Sequence, residues 1–358
     1  MGTQNACIRP WVVLVGGFLG AGKTTLLIAA AQELERRGRR TAIILNDQGD
    51  ALVDTDSVTR SGLSFGEVTG GCFCCKLSDL IGVMDRLSKH APDVIFAEPV
   101  GSCTDLSATT IHPLAEHSDR YQIAPFTVLV DPARAVSLLA DDADPDLSFL
   151  FRKQVQEADL ICFTKSDLYP DCPSLPGREL RRTRQLSART GQGVAAWIDE
   201  LLSGTLTAGA ELLDIDYEQY ARAEAALVWL NLQVTISWME PRTYALVLGP
   251  LLDGLDEDFT AAGISIIHLK AIASSPTGFL KAASCANGQH PILEGALDAS
   301  PERTHDLLLN LRTLGSASDV RHIVEQRVTH MGAVLHELRI ACFHPAAPKP
   351  ERRVMQLL

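Results

Sequence analysis

Short apolar runs punctuate the first half of the chain, and each ends in a polar, acidic or glycine-rich corner. Trp11–Val15 opens the series, followed by Thr41–Leu45, Asp93–Ala97, Phe126–Asp131 and Leu160–Phe163. Runs this short and this uniformly apolar read as buried strands. Between them, Leu26–Arg37 and Leu77–Leu87 repeat their apolar residues at helical spacing. Strands alternating with helices predict an α/β domain with a mostly parallel sheet over residues 1–204. The pattern then changes. Residues 205–222 are small and acidic and read as a linker with a helical end. Leu227–Trp238 alternates as a strand, Pro241–Leu255 reads as a helix, and Ile264–Ala273 with Thr277–Ala286 reads as a strand pair around Ser274-Ser275-Pro276. His305–Thr313 is a further expected strand, and Val320–Leu338 an expected helix. This order predicts a smaller α+β domain over 223–344, with a mobile tail over 345–358.

The first strand leads into Gly16-Gly17-Phe18-Leu19-Gly20-Ala21-Gly22-Lys23-Thr24-Thr25, and the first helix follows. Gly17-x4-Gly22-Lys23-Thr24 in that setting is the P-loop pattern. The fold expected is therefore that of a P-loop NTPase. Glycines let backbone N–H groups converge on phosphate oxygens at a helix N-terminus, which favours negative charge. Gly17, Gly20, Ala21, Gly22, Lys23, Thr24 and Thr25 are the expected nucleotide-binding set. Lys23 reaches the β- and γ-phosphates, and the Thr24 hydroxyl binds Mg2+. Ligands in such a fold gather beyond the carboxyl ends of the strands. There Asp47, Asp50 and Asp54 are candidates for Mg2+, water positioning or a second metal, against ordinary turn or cap roles. The third strand delivers Glu98, which acts on Mg2+ through water or on the attacking water. Gly101 follows, where a glycine allows its N–H to approach the γ-phosphate. Lys23, Glu98 and Asp47 are the expected catalytic residues.

Gly70-Gly71-Cys72-Phe73-Cys74-Cys75-Lys76 brings three thiols within four residues, just ahead of a helical segment. Thiolates suit Zn2+, Cu(I) or iron, and a helix N-terminus lowers a thiol's pKa. Cys72, Cys74 and Cys75 leave one tetrahedral position for water, a carboxylate or a partner's ligand, which suits a site that passes metal on. Small buried cysteines or a redox pair are the plainer alternative. Cys103, Cys162 and the other cysteines read as structural, and the histidines share no ligand spacing.

Nine cysteines, odd in number and partly clustered, do not form a disulfide framework and point to a reducing cytoplasm. A net charge of −12 argues against nucleic acid as a main partner, because phosphate backbones need a basic face. Neither a secretory signal, a spanning segment nor a myristoylation pattern is legible, so no membrane partner is expected.

Thr164-Lys165-Ser166-Asp167 resembles the Asn-Lys-x-Asp base-recognition motif of GTPases. A carboxylate at Asp167 accepts both guanine N1–H and N2–H2, and the Lys165 stem covers the base face. Thr164 stands where the motif has Asn, which removes an amide that supports the loop. Leu186–Gly193 resembles a further GTPase motif, in which backbone N–H groups at Ser187 and Ala188 meet the guanine oxygen. In order, these motifs resemble the CobW-type family of P-loop GTPases, relatives of the HypB and UreG nickel chaperones. The resemblance spans about residues 10–203 and rests above all on the Cys-x-Cys-Cys between loop and acid. It implies a slow GTPase and metal chaperone with GTP and Mg2+, which couples its nucleotide state to delivery of Zn2+, Co2+ or iron to a client metalloenzyme. A homodimer is compatible with it. Two other readings stay open: a GTP-gated chaperone of a cofactor enzyme without metal transfer, and a P-loop ATPase or kinase.

Overall fold

A computed structural model describes residues 9–49, 52–175 and 182–356. The chain divides into two compact units: residues 1–48, 57–220 and 348–358 form the first, and residues 49–56 and 221–347 the second.

The first unit begins with β1 (Trp11–Gly17), α1 (Lys23–Arg36), β2 (Thr41–Asn46), α2 (Val53–Ser61), β3 (Phe65–Val68), α3 (Leu77–Ser88) and β4 (Val94–Glu98). A single turn, α4 (His112–Ala115), and a short β5 (Gln122–Ile123) lead to β6 (Thr127–Val130), α5 (Pro132–Leu139), α6 (Pro145–Glu157), β7 (Leu160–Phe163), β8 (Thr183–Gln185), α7 (Val194–Leu201) and α8 (Tyr217–Ala226). The unit division falls inside α2 and inside α8. The strands run in the order β3-β2-β4-β1-β6-β7-β8, every pair parallel, with β5 beside β1. Residues of β1, β2, β4 and β7 are buried without alternation, as strands covered on both faces must be. One core joins Val13, Val15, Leu26, Leu27, Ile43, Phe96, Leu129 and Trp197. Every strand of the central four therefore ends at the same edge, where ligand-binding loops collect.

Asp144 caps α6 by accepting from the Asp146 and Leu147 N–H groups. The segment read as a linker is anchored in the first unit: Asp159 accepts from Gly209 and Ala210 N–H, and Leu213 is buried.

The second unit continues with β9 (Leu227–Arg242), α9 (Tyr244–Ala261), β10 (Ser265–Ser275), β11 (Gly278–Ser284), β12 (Ile292–Gly295), β13 (Glu302–Leu314), α10 (Ala317–Thr329) and β14 (Val334–Phe343). Its sheet is antiparallel throughout, in the order β12-β11-β10-β13-β9-β14. Apolar residues of the sheet share a core with Val247, Leu251, Leu255 and Phe259 of α9 and Val320, Val324 and Val328 of α10. The fold is thus α/β with a smaller antiparallel α+β unit. The helix expected to run to Leu338 stops at Thr329, and Val334–Phe343 is instead the edge strand β14. Gly332, at φ +74°, turns the chain, and pairing with β9 then outweighs the helical spacing of the apolar residues.

Residues 348–356 lack regular structure but belong to the first unit and are held there by specific bonds, described below.

Candidate functional site

The P-loop follows β1 as the sequence pattern requires. Gly20 and Gly22 take left-handed backbone conformations that other residues rarely adopt, and Gly22 hands the chain directly to α1. Gly17 has no room for a side chain, since a Cβ there would stand 2.5 Å from the Leu129 carbonyl oxygen. Lys23 is buried, donates to the Gly17 carbonyl at 2.9 Å and lies 4.0 Å from Glu98 Oε1. Thr24 and Glu98 are also buried. Gly101 completes this group: a Cβ there would come within 3.0 Å of Lys23 Nζ. The Ala21 N–H closes a turn onto the Phe18 carbonyl, and its own carbonyl accepts from Thr164. These positions fit a triphosphate, with a cationic lysine at the bottom of a glycine cradle and an acid beside it.

The candidate acids after β2 separate. Asp47 stays beside the first unit's sheet, its N–H donating to Val68 O at 3.2 Å. Asp54 falls in the second unit, where both its oxygens take Lys270 Nζ at 2.6–2.7 Å. Asp50 lies outside the described residues.

At the expected base site, Thr164 corrects the sequence reading. Its buried hydroxyl donates to the Ala21 carbonyl at 3.0 Å, so it ties this loop to the P-loop despite lacking an amide. Lys165 adopts φ +56° and its ammonium pairs with Asp131 at 2.6 Å, while Asp131 also caps α5. Asp167 is exposed. Ser166 N–H donates to Leu186 O, which joins the two base loops. Ser187 is buried and its N–H goes to the Gln192 carbonyl at 2.9 Å, so only part of the expected pair of N–H groups can face a base. Ala188 is partly exposed beside it.

Cys74 and Cys75 sit in a tight helical turn, Phe73–Lys76, that runs straight into α3, and Cys72 directly precedes it. Cys72 and Cys74 are 2.9 Å apart, Cys72 and Cys75 3.2 Å, and Cys74 and Cys75 3.7 Å, measured between sulfurs. Sulfurs around a tetrahedral Zn2+ stand about 3.8 Å from one another. The longest of the three spacings already matches, and the others need adjustments of about 1 Å or less, which a cysteine side chain can supply. Among the described residues, this trio alone forms a group of three or more ligating side chains. Hydrogen bonding with Cys103, Cys74 and Cys75 pulls the Cys72 thiol far below the usual thiol range. The same sharing raises its neighbours, with Cys75 pushed up to about 11 chiefly by its bond to Cys72. Three sulfurs at this spacing are a soft donor set that a metal can complete by displacing protons.

Three further buried residues brace this turn and the loop after β4, and of these only Asn46 belongs to a motif the sequence resemblance carries, Asn46-Asp47-x-Gly49. Asn46, the last residue of β2, is buried; its amide N–H2 donates to Val68 O and Gly71 O, and its oxygen accepts from Phe73 N–H. It therefore stitches the corner carrying Asp47 to the loop carrying the thiols. Gln154 of α6 donates to the carbonyls of Gly101 and Cys103, fixing the loop after β4. Glu157, one turn later, is fully buried and accepts from Thr104 and Ser107. Burial, with Asp105 nearby, pushes its carboxyl up to about 8.

The returning segment closes over the thiol turn. Lys349 N–H donates to Cys75 Sγ at 3.1 Å, and Glu351 N–H to the Cys74 carbonyl at 2.9 Å. Glu351 carboxylate accepts from Ser78 N–H and Oγ at the start of α3, an end that favours negative charge. Arg353 pairs with the buried Asp105 at 2.7 Å, and Tyr217 donates to the same carboxylate at 2.6 Å. The thiols thus face a strap of backbone rather than open solvent.

Residues 11–190 match the model of the family described as "CobW/HypB/UreG, nucleotide-binding domain". Among individual proteins, the chain is 29% identical over 224 residues to the zinc chaperone CobW of a Sinorhizobium species, covering 54% of this chain and 62% of that one. It is 31% identical over 180 residues to the zinc chaperone YjiA of Escherichia coli, covering 48% and 54% respectively. The chain therefore spans between about half and three fifths of the length of these relatives. Of solved structures, HypB from Helicobacter pylori in complex with nickel aligns over 55% of this chain and 86% of that one, at 17% identity and a TM-score of 0.40.

Proposed function

We propose, because the chain belongs to the CobW/HypB/UreG nucleotide-binding family, that it is a GTP-hydrolysing metal chaperone whose nucleotide state controls how tightly Cys72, Cys74 and Cys75 hold a transition metal. The observation that carries this reading is Asn46. It joins the corner after β2, which carries Asp47, to the loop that holds the three sulfurs, and this link supports coupling between the two.

Nucleotide binding is assigned to the P-loop residues, with Lys23 on the β- and γ-phosphates. Thr24 and Glu98 would hold Mg2+, which supplies neutralisation of phosphate charge when bound. Asp47 and Glu98 would orient an attacking water, and the Gly101 N–H would meet the γ-phosphate. Asp167 accepts from the guanine edge. Because the Ser187 N–H is already engaged, the guanine oxygen falls to the Ala188 N–H. Zn2+ is the favoured cargo. The donors are soft, the sulfur spacing suits a tetrahedral ion, and two relatives are named zinc chaperones. A client metalloenzyme receives it.

A 100-fold difference in metal affinity between nucleotide states corresponds to about 2.7 kcal/mol of coupling, and metal must then change GTP affinity by the same factor. The test is a titration of Zn2+ or Co2+ into the full chain, once with GDP and once with a non-hydrolysable GTP analogue. Distinct affinities are expected; equal ones remove the coupling and leave a nucleotide hydrolase.

A further inference from the structure

Cys103 lies on the loop after β4 and is buried, 3% exposed, with no disulfide partner. Its thiol hydrogen-bonds the Cys72 sulfur, so it stands against the Cys72 side of the trio. A fourth sulfur at this place is not a matter of chain proximity, since thirty-one positions separate Cys103 from Cys72. The fold brings them together: β4 runs beside β2, and the loop after β4 meets the turn that follows β3.

The same loop touches the nucleotide cradle two residues earlier. Gly101 packs so closely on Lys23 that any side chain there would crowd the ammonium. Between the two ends the loop is short and braced. Cys103 N–H donates to Val100 O at 3.0 Å, and one buried side chain, Gln154, holds both the Gly101 and Cys103 carbonyls. A shift of Gly101 toward or away from a phosphate must therefore carry Cys103 with it.

We propose that Cys103 is the fourth sulfur ligand of the metal site, supplied by the loop that also contacts the P-loop lysine. This rests on the metal-binding reading of Cys72, Cys74 and Cys75 and extends it. A cage of four thiolates holds a tetrahedral Zn2+ closed, as structural sites do, whereas three sulfurs leave a position open for transfer. Moving one sulfur on a nucleotide-linked loop converts one condition into the other. Cys103 already meets Cys72 but is not within reach of all three sulfurs at once, so ligation requires its loop to draw in toward Cys74 and Cys75.

The experiment is X-ray absorption at the zinc edge on the full chain loaded with one equivalent of Zn2+. Parallel Co2+ spectra report thiolate ligation through the sulfur-to-metal charge-transfer bands. The wild type is expected to show four sulfurs at about 2.3 Å. Cys103→Ser and Cys103→Ala are each expected to show three sulfurs and one oxygen or nitrogen, with at least about tenfold weaker Zn2+ binding. Cys172→Ser, a thiol elsewhere in the unit, should match the wild type. Three sulfurs in the wild type, a count that needs no variant to fold, would overturn the fourth ligand and leave the chaperone reading intact. So would an unchanged count in both Cys103 variants. A wild type that takes up no metal at all would overturn both.

Discussion

Asn46 occupies one position and serves two loops. Replacing it by Ala removes three hydrogen bonds and leaves the Gly71 carbonyl and the Phe73 N–H to find other partners, while the Val68 carbonyl keeps the Asp47 N–H. Such losses cost about 1–3 kcal/mol when groups stay unsatisfied. Asn46→Ala should therefore lower stability by that order in denaturant melts. It should also narrow the difference in Zn2+ affinity between GDP and GTP-analogue states; an undiminished difference would mean the coupling runs elsewhere. Glu157 makes a second prediction at this scale. Its folded pKa of about 8 lies above its ordinary value of 4.5, so the folded chain holds a proton that the unfolded chain releases. The contribution of this group is complete below about pH 4.5 and is lost as pH rises toward 8, at up to about 1.4 kcal/mol per unit. Glu157→Gln, neutral at every pH, should flatten this decline in thermal melts between pH 5 and 9. An unchanged slope would assign the effect to other groups.

Among the elements, the returning segment 348–356 changes the thiol site most. Its backbone bonds the Cys75 sulfur and the Cys74 carbonyl, and Arg353 anchors it on Asp105. Asp105 is wholly buried while Arg353 keeps some exposure, so Arg353→Ala should destabilise the chain by about 2–4 kcal/mol, the lower part of the buried-pair range. The same variant should raise the rate at which a thiol reagent modifies Cys75. Equal rates in variant and wild type would show that the strap does not shield the sulfur. No pattern along residues 345–358 announces this anchoring. Proline, lysine and arginine near a terminus read as a tail, and the acid that receives Arg353 lies far upstream. The edge strand β14 was hidden for a related reason. Its apolar residues carry a spacing that a helix could also use, and only pairing with β9 selects the strand.

For the molecule as a whole, each of the two units has its own core, one around a parallel sheet and one around an antiparallel sheet. Among the described residues, those assigned to nucleotide and metal lie in the first, save Asp54, which Lys270 holds in the second. A ligand that binds only the folded form stabilises it by about 2.7 kcal/mol at a hundred times its dissociation constant. With GTP and Mg2+, hydrogen exchange should slow in β1, β2 and β4 before any change appears in β10, β11 and β13. A gain confined to the second unit would move the nucleotide site there. Among the described residues, no helix is long and apolar enough to cross a membrane.

What the sequence determined by itself was local chemistry. A strand, a glycine loop and a helix in succession can hold a triphosphate because all the groups involved are neighbours along the chain. Three thiols within four residues converge for the same reason. Tertiary structure alone decided which distant groups join them. It set Cys103 against Cys72, Thr164 on the P-loop carbonyl, Asn46 between two loops and Arg353 on Asp105. Each of these pairs is made by strand order and loop return, and periodicity along the chain carries no record of either.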